Sequence, residues 1–175
     1  MKVRFDKPSG RRDQVLRYIY YAIIALILSV LQVLFLDLIS VGGITPDLLL
    51  ILCVWITLTE GRLAGLFAGF AVGLIFDIIS MDVIGTNALA KTIAVFAAGL
   101  FYREGTMEHK IGRFRFLGIV FLSSVIHNLV YFFFYLRPSE LDYMSFFMKY
   151  GIAMSSYTTV FAIFAMLILA SRKND

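Results

Sequence analysis

The chain has 175 residues with 60% apolar side chains, and its 16 Lys and Arg outnumber its 12 Asp and Glu, which gives a net charge of +4. Soluble domains contain about 45–50% apolar residues, so this composition excludes an ordinary water-soluble protein and indicates one compact membrane bundle. The cations are dispersed over several loops and form no reading element, so nucleic-acid binding is not expected.

Six apolar stretches predict an all-α integral membrane protein with one six-helix transmembrane domain over residues 18–171. The first stretch is longer than a usual signal core and has no clear small-residue cleavage site, so it is interpreted as an uncleaved span. The predicted spans are about 18–38, 46–59, 63–80, 87–102, 116–136 and 146–170. A basic tail at 1–17 precedes them, and a short tail at 172–175 follows.

The cations alternate along the chain in a way that predicts its orientation in the membrane. Threading six helices with both termini inside places thirteen of the sixteen Lys and Arg on one side. They come from residues 1–17, from Arg62 in a tight turn, from the loop 103–115 and from the C-terminal tail. Because cytoplasmic loops retain cations, both termini are predicted to be cytoplasmic.

The second span is short and begins at a conspicuous helix start. Thr45 is expected to cap it, Pro46 fits the first helical position, and Asp47 complements the positive end of the helix dipole. Fourteen residues cover about 21 Å, which is less than the ~30 Å hydrocarbon core. The span is therefore either shielded by protein or surrounded by a thinned bilayer.

Polar residues inside the spans fall into two predicted layers. A short linker joins spans three and four, so Asp77 and Lys91 are expected at similar depth and are predicted to form an ion pair. That pair is either a structural bridge or part of a docking or ligand surface. The outer layer consists of Gln32, Asp37, Asp77, Asn87 and Lys91.

The middle layer places His127 and Asn128 of span five level with residues 155–159 of span six. Hydrogen bonding between these helices is the simplest interpretation. A metal site on His127 would need more ligands, and the only other histidine, His109, lies in the inner loop. Cys53 is the only cysteine and excludes a thiolate metal cluster, so no metal is predicted.

Span three carries three glycines at four-residue spacing, a pattern that lets another helix backbone approach closely. They are Gly65, Gly69 and Gly73, and span four presents Ala90, Ala94 and Ala98 at the same spacing. Packing within the bundle is one interpretation, and an intermolecular seam is the other. No nucleophile set, metal-protease motif, phosphate loop or carboxylate pair occurs, so neither an enzyme nor a cofactor is predicted.

The stretch 45–99 resembles the MreD family of rod shape-determining proteins. The motifs that carry this resemblance are Pro46-Asp47-Leu48, Glu60-Gly61-Arg62 with the spaced glycines, Asp77, and Gly85-x-Asn87-Ala88-Leu89-x-Lys91. The resemblance implies a multi-pass protein of the bacterial inner membrane that acts with MreC, MreB, RodA and a class B penicillin-binding protein. It also implies a fold similar to the substrate-binding subunits of energy-coupling-factor transporters.

Two functions are therefore weighed. The first is a non-catalytic scaffold that positions lateral peptidoglycan synthesis, with the outer layer and the short second span forming a seat for the transmembrane helix of MreC. The alternative is the substrate-binding subunit of a vitamin-type uptake transporter. The alternative requires a cavity that opens to the outside and has convergent polar groups.

Overall fold

The computed structural model describes residues 11–35, 40, 42–81, 83–102, 113–135 and 143–171. These residues form six helices and no strand, as the sequence predicts. The helices are α1 (Arg11–Phe35), α2 (Leu48–Glu60), α3 (Arg62–Ser80), α4 (Thr86–Gly99), α5 (Arg113–Tyr135) and a sixth that is built from three pieces. The basic tail 1–10, Asp37, the loop 103–112 and the tail 172–175 lie outside the described residues.

The sixth helix changes its winding near its start. It begins as α6 (Tyr143–Phe146), passes through one π-helical turn (Phe147–Gly151) and continues as α7 (Ile152–Ser171). Gly151 lies where the wider turn meets the ring of Phe147, because a Cβ on Gly151 would stand 2.5 Å from Phe147 Cδ2. The sequence predicted one uninterrupted span here and did not indicate the π turn.

Three helices of the described chain are long and apolar enough to cross a membrane, namely Arg12–Leu34, Arg62–Ser80 and Phe114–Tyr135. Helix α2 is shorter, with 13 residues, and it occupies the centre of the bundle. It contacts α1, α3, α4, α5 and α7, and Leu49, Leu50, Cys53 and Val54 are wholly buried. Of the two explanations for its short length, the structure therefore supports shielding by protein.

The start of α2 differs from the prediction. Asp47, rather than Thr45, is the N-cap, with an extended backbone and a side chain that accepts from Leu50 N at 2.9 Å. Pro46 precedes the cap instead of opening the helix. The reason is that the Asp47 carboxylate is a good partner for the unpaired N–H groups of the first turn.

Helices α3 and α4 form the closest hairpin of the bundle. Gly69 and Gly73 face α4, since a Cβ on Gly73 would stand 2.5 Å from Ala88 Cα and one on Gly69 would stand 2.8 Å from Val95 Cγ2. Gly65 faces a different helix, because its nearest neighbour is Thr57 of α2. All three glycines therefore lie at contacts within the chain, which favours packing inside the bundle over an intermolecular seam.

Candidate functional site: a buried polar cluster

Four polar side chains from three helices meet inside the bundle, and we call them the polar cluster: Asp47, Asn87, Lys91 and His127. Asp47 is placed there because α2 is short and begins inside the bundle. Asn87 and Lys91 are one turn apart on α4, and His127 comes from the middle of α5. All but Asp47, which is partly buried, are buried from solvent.

Lys91 is the centre of the polar cluster, and its side chain is 0% exposed. Its Nζ lies 2.5 Å from Asp47 Oδ2, 3.4 Å from Asn87 Oδ1 and 3.4 Å from His127 Nε2. An ammonium group has three N–H donors and no acceptor, so these three atoms can satisfy all of its donors. If the Lys91 ammonium donates to His127 Nε2, the proton of the neutral ring lies on Nδ1. That Nδ1 is buried and has no hydrogen-bond partner among the described residues.

Asp47 joins the polar cluster to the backbone of two further elements. One carboxylate oxygen accepts from Leu50 N and caps α2, while the other pairs with Lys91. The Asp47 backbone N–H also donates to Thr158 Oγ1 of α7 at 3.0 Å. One residue therefore fixes the beginning of α2 against both α4 and α7.

The predicted ion pair between Asp77 and Lys91 is wrong, because Lys91 pairs with Asp47. Asp77 is fully buried and accepts three backbone N–H groups at the beginning of α4. They are Gly85 N at 2.9 Å, Asn87 N at 3.1 Å and Ala88 N at 3.3 Å. The first N–H groups of a helix have no partner within it, and the tight turn from α3 brings this carboxylate to them.

The division into two polar layers also changes. His127 was expected at the level of Asn128 and the sixth helix, but its ring meets Lys91 of the predicted outer layer. Asn128 contacts the sixth helix as expected, since its Nδ2 donates to Ser155 Oγ at 3.0 Å and to Gly151 O at 3.2 Å. Gln32 Oε1 accepts from Leu49 N at 3.4 Å, and Asp37 lies outside the described residues.

The sequence pattern indicated only a helix-dipole role for Asp47, which is not among the predicted site residues. Thr158 was recognised only as one member of a polar stretch. The signal for Asp47 was present, because a cation buried in a span needs a carboxylate, and a short central helix exposes its first turn to its neighbours. Which carboxylate is used depends on how the helices are rotated.

The arrangement of the polar cluster is that of a structural lock. Apart from His127 Nδ1, which has no hydrogen-bond partner among the described residues, its donors and acceptors are directed at one another and at helix ends. Its side chains are buried, except that of Asp47, which is partly buried. No group of three or more His, Cys, Asp or Glu within the described ranges could hold a metal ion. The burial of Asp77, Asn87 and Lys91 removes them from the surface, so of the two roles left open by the sequence the structural one is favoured.

A separate cavity of about 400 Å³ lies between α1, α2, α5 and α7. Its lining is apolar and aromatic and includes Tyr21 of α1, Trp55 of α2, Phe116 of α5 and Phe161 of α7. A vitamin-binding subunit would need several convergent polar groups. Among the lining residues only Tyr20, Tyr21 and Trp55 carry polar atoms in their side chains, which gives the uptake alternative no support.

The comparisons with known proteins give one family. The family model of the rod shape-determining protein MreD matches residues 12–172, which is nearly the whole chain. No curated protein and no solved structure matches it. The expected likeness to energy-coupling-factor subunits therefore stays a prediction.

Proposed function

Since the chain belongs to the MreD family of rod shape-determining membrane proteins, we propose that it is a non-catalytic scaffold of the bacterial cell-elongation complex. In this role it holds MreC by direct transmembrane contacts in the inner membrane. Together with MreC and MreB it positions lateral peptidoglycan synthesis, while RodA and a class B penicillin-binding protein belong to the wider complex.

The observation that carries the proposal, beside the family match, is that the polar cluster lies inside the bundle. Its contacts tie α2 to α4 and α5, and through Thr158 to α7. Polar side chains that hydrogen-bond mainly to one another stiffen a bundle and leave its outer surface apolar. A stiff body with apolar helical faces suits a protein whose partners are also membrane helices.

Among the three span candidates of the described chain, helix α1 is the least buried and offers the most surface to a partner. Only 11% of its most apolar window is buried, against 28% in α3 and 44% in α5. It packs on the bundle through a narrow strip that includes Ala25 and Ser29, both buried. Because Asp77, Asn87 and Lys91 of the outer polar layer are buried, we place the proposed MreC seat on the exposed face of α1 instead.

The proposal is tested with photo-crosslinking residues in cells that contain MreC. Ile19 and Leu26 are exposed on α1, and Phe70 and Phe121 are exposed controls on α3 and α5. The α1 positions are expected to trap MreC and the controls are not. The proposed seat would be contradicted if MreC were crosslinked equally from all four positions. It would also be contradicted if MreC were not crosslinked from the α1 positions although the photo-crosslinking residue was fully incorporated there.

The scaffold role itself is tested by depletion. Cells that lose the protein are expected to become round and to disperse MreC, and the wild-type chain is expected to restore both. A depleted cell that keeps its rod shape and its MreC distribution would overturn the proposal.

A further inference from the structure

The cavity has a position that a membrane molecule can reach. Helices α1 and α7 both contact α2, and the cavity lies between them with Ile51, Leu52 and Trp55 of α2 among its lining. Phe116 of α5 contributes at the end where α5 begins. The cavity therefore runs beside the central helix towards the end of the bundle that carries the start of α1 and the end of α2.

The size of the cavity favours a lipid acyl chain over a protein helix as its occupant. Small-molecule sites typically measure about 300–1,000 Å³, and this cavity of about 400 Å³ lies in that range. A helix with its side chains is about 10–12 Å wide, whereas a single acyl chain carries no side chains and is much narrower.

Apolar contact alone would not retain a particular lipid, because lipid tails are as apolar as the lining side chains. Selectivity must come from the headgroup, and the end of the cavity next to Tyr21 and Phe116 carries charge. Tyr21 donates to Glu60 Oε1 at 3.1 Å, and Arg17 Nη1 lies 3.3 Å from the same oxygen. Arg115 directly precedes Phe116 and is exposed.

We call Arg17, Glu60 and Arg115 the basic rim, because Arg17 and Glu60 pair beside the lining residue Tyr21 and Arg115 is next in sequence to the lining residue Phe116. The basic rim has two cations and one carboxylate. Its net charge of +1 complements an anionic headgroup, and a guanidinium group matches the geometry of phosphate oxygens. We propose that the cavity holds one acyl chain of an anionic phospholipid, with the lipid phosphate bound at the basic rim. This site goes beyond the scaffold role and does not depend on it.

The chain contains its own reporter for this site. Trp55 is the only tryptophan, and it lines the cavity. Bromine atoms on a lipid chain quench tryptophan fluorescence at short range. The full chain is therefore reconstituted in bilayers of unlabelled phosphatidylcholine, and either phosphatidylglycerol or phosphatidylcholine with brominated chains is added in steps.

We expect saturable quenching of Trp55 by the brominated phosphatidylglycerol, at roughly fivefold lower mole fraction than by the brominated phosphatidylcholine for each cation that contacts the phosphate. Arg115→Gln is expected to remove most of that preference for phosphatidylglycerol, while the brominated acyl chain still quenches Trp55. Lys149→Gln is the matched control, because Lys149 is also exposed but lies on the sixth helix near its start.

A second pair of variants tests the acyl-chain site separately from the basic rim and leaves Trp55 as the only tryptophan. Ala165 lines the cavity, so Ala165→Phe is expected to fill it and to lower quenching to the non-saturable level of surrounding lipid. Ala22→Phe places the same ring on the exposed part of α1 and is expected to change nothing.

Several results would overturn the proposal. They are equal quenching by the two brominated lipids, unchanged quenching in Ala165→Phe, and a Trp55 that neither lipid reaches. Absence of quenching by either lipid, together with a shift of Trp55 emission when MreC is co-reconstituted, would assign the cavity to a protein helix and would reject the lipid site. None of these results bears on cell shape, so the scaffold proposal would stand.

Discussion

Lys91 is a full charge with no contact to solvent, in a part of the chain where uncompensated charges cost several kcal/mol. The polar cluster compensates it with a carboxylate, an amide oxygen and a ring nitrogen. Such a pair adds little net stability over an apolar core, but removal of one partner is costly. A buried ion pair between Asp47 and Lys91 therefore predicts that a single substitution lowers the free energy of unfolding more than the double substitution does.

Asp47→Asn is expected to destabilise the bundle by about 3–5 kcal/mol, because it leaves the Lys91 ammonium buried beside a neutral group. Lys91→Met is expected to cost less, since Asp47 is partly exposed and still caps α2. The double variant Asp47→Asn with Lys91→Met is expected to recover most of the loss. Unfolding in mild detergent, followed by circular dichroism, measures all three.

The same cycle with Asp77 is the control for the choice of partner. In the part of the chain that the structure describes, Asp77 and Lys91 are linked through Asn87, whose backbone N–H donates to Asp77 and whose side-chain oxygen accepts from Lys91. The coupling between Asp77→Asn and Lys91→Met should therefore be smaller than the coupling measured with Asp47. A larger coupling for Asp77 would show that the Asp47 pairing is incorrect.

Asp77 acts on the beginning of α4. Asp77→Ala leaves three backbone N–H groups without their acceptor, two of them buried, and is expected to cost at least about 2 kcal/mol. Asp77→Asn keeps one carbonyl oxygen and should give an intermediate loss in the same unfolding assay. Asp13→Ala removes an exposed carboxylate from α1 and should stay within about 0.5 kcal/mol of wild type. Equal stability of Asp77→Ala and Asp13→Ala would argue against the capping role.

At the scale of helices, the close packing of the α3–α4 hairpin depends on direct contact between the two backbones. A Cβ on Gly73 would meet Ala88 Cα at 2.5 Å, Ala88 N at 2.7 Å and Asn87 O at 2.7 Å. These are main-chain atoms that no side-chain rotation can move. The hairpin can admit a methyl group only by separating the two helices, which would also disturb the start of α4.

Gly73→Ala is therefore expected to destabilise the protein by about 1–3 kcal/mol, the usual cost of overpacking. Gly118→Ala is the matched control, because Gly118 lies within α5 and a Cβ there meets nothing within 4 Å. Alanine at such a helical position should stabilise by up to about 1 kcal/mol. Similar thermal midpoints for the two variants would contradict the close approach of α3 and α4.

The elements could be predicted from sequence because apolar length and turn residues suffice to define them. Contacts between helices were harder, as the glycines show. Gly65, Gly69 and Gly73 were assigned to one face, yet Gly65 meets α2 while Gly69 and Gly73 meet α4. The π turn at 147–151 depends on how Phe147 and Gly151 fit together, which periodicity does not encode.

At the scale of the whole molecule, composition predicts which kinds of residues must meet, but it does not predict which individual residues meet. The sequence indicated a buried cation that requires a carboxylate, but the partner came from the helix before the predicted hairpin. Asp47 reaches Lys91 because α2 begins inside the bundle and α4 presents Lys91 towards it. Such a meeting depends on the rotation of every helix about its axis, and no local pattern specifies it.

Orientation in the membrane is the property of the whole molecule on which the cytoplasmic assignments depend. Met81 follows α3 and is 93% exposed, while Phe114 begins α5 and is 89% exposed. The distribution of cations predicts that they lie on opposite sides, with Phe114 in the cytoplasm. Cys53, the only native cysteine, is 0% exposed, so it should stay silent towards thiol reagents. Met81→Cys is expected to react with a membrane-impermeant maleimide on intact spheroplasts, and Phe114→Cys only after lysis. Labelling of Phe114→Cys from outside would reverse the orientation and place the basic rim of the lipid site in the outer leaflet.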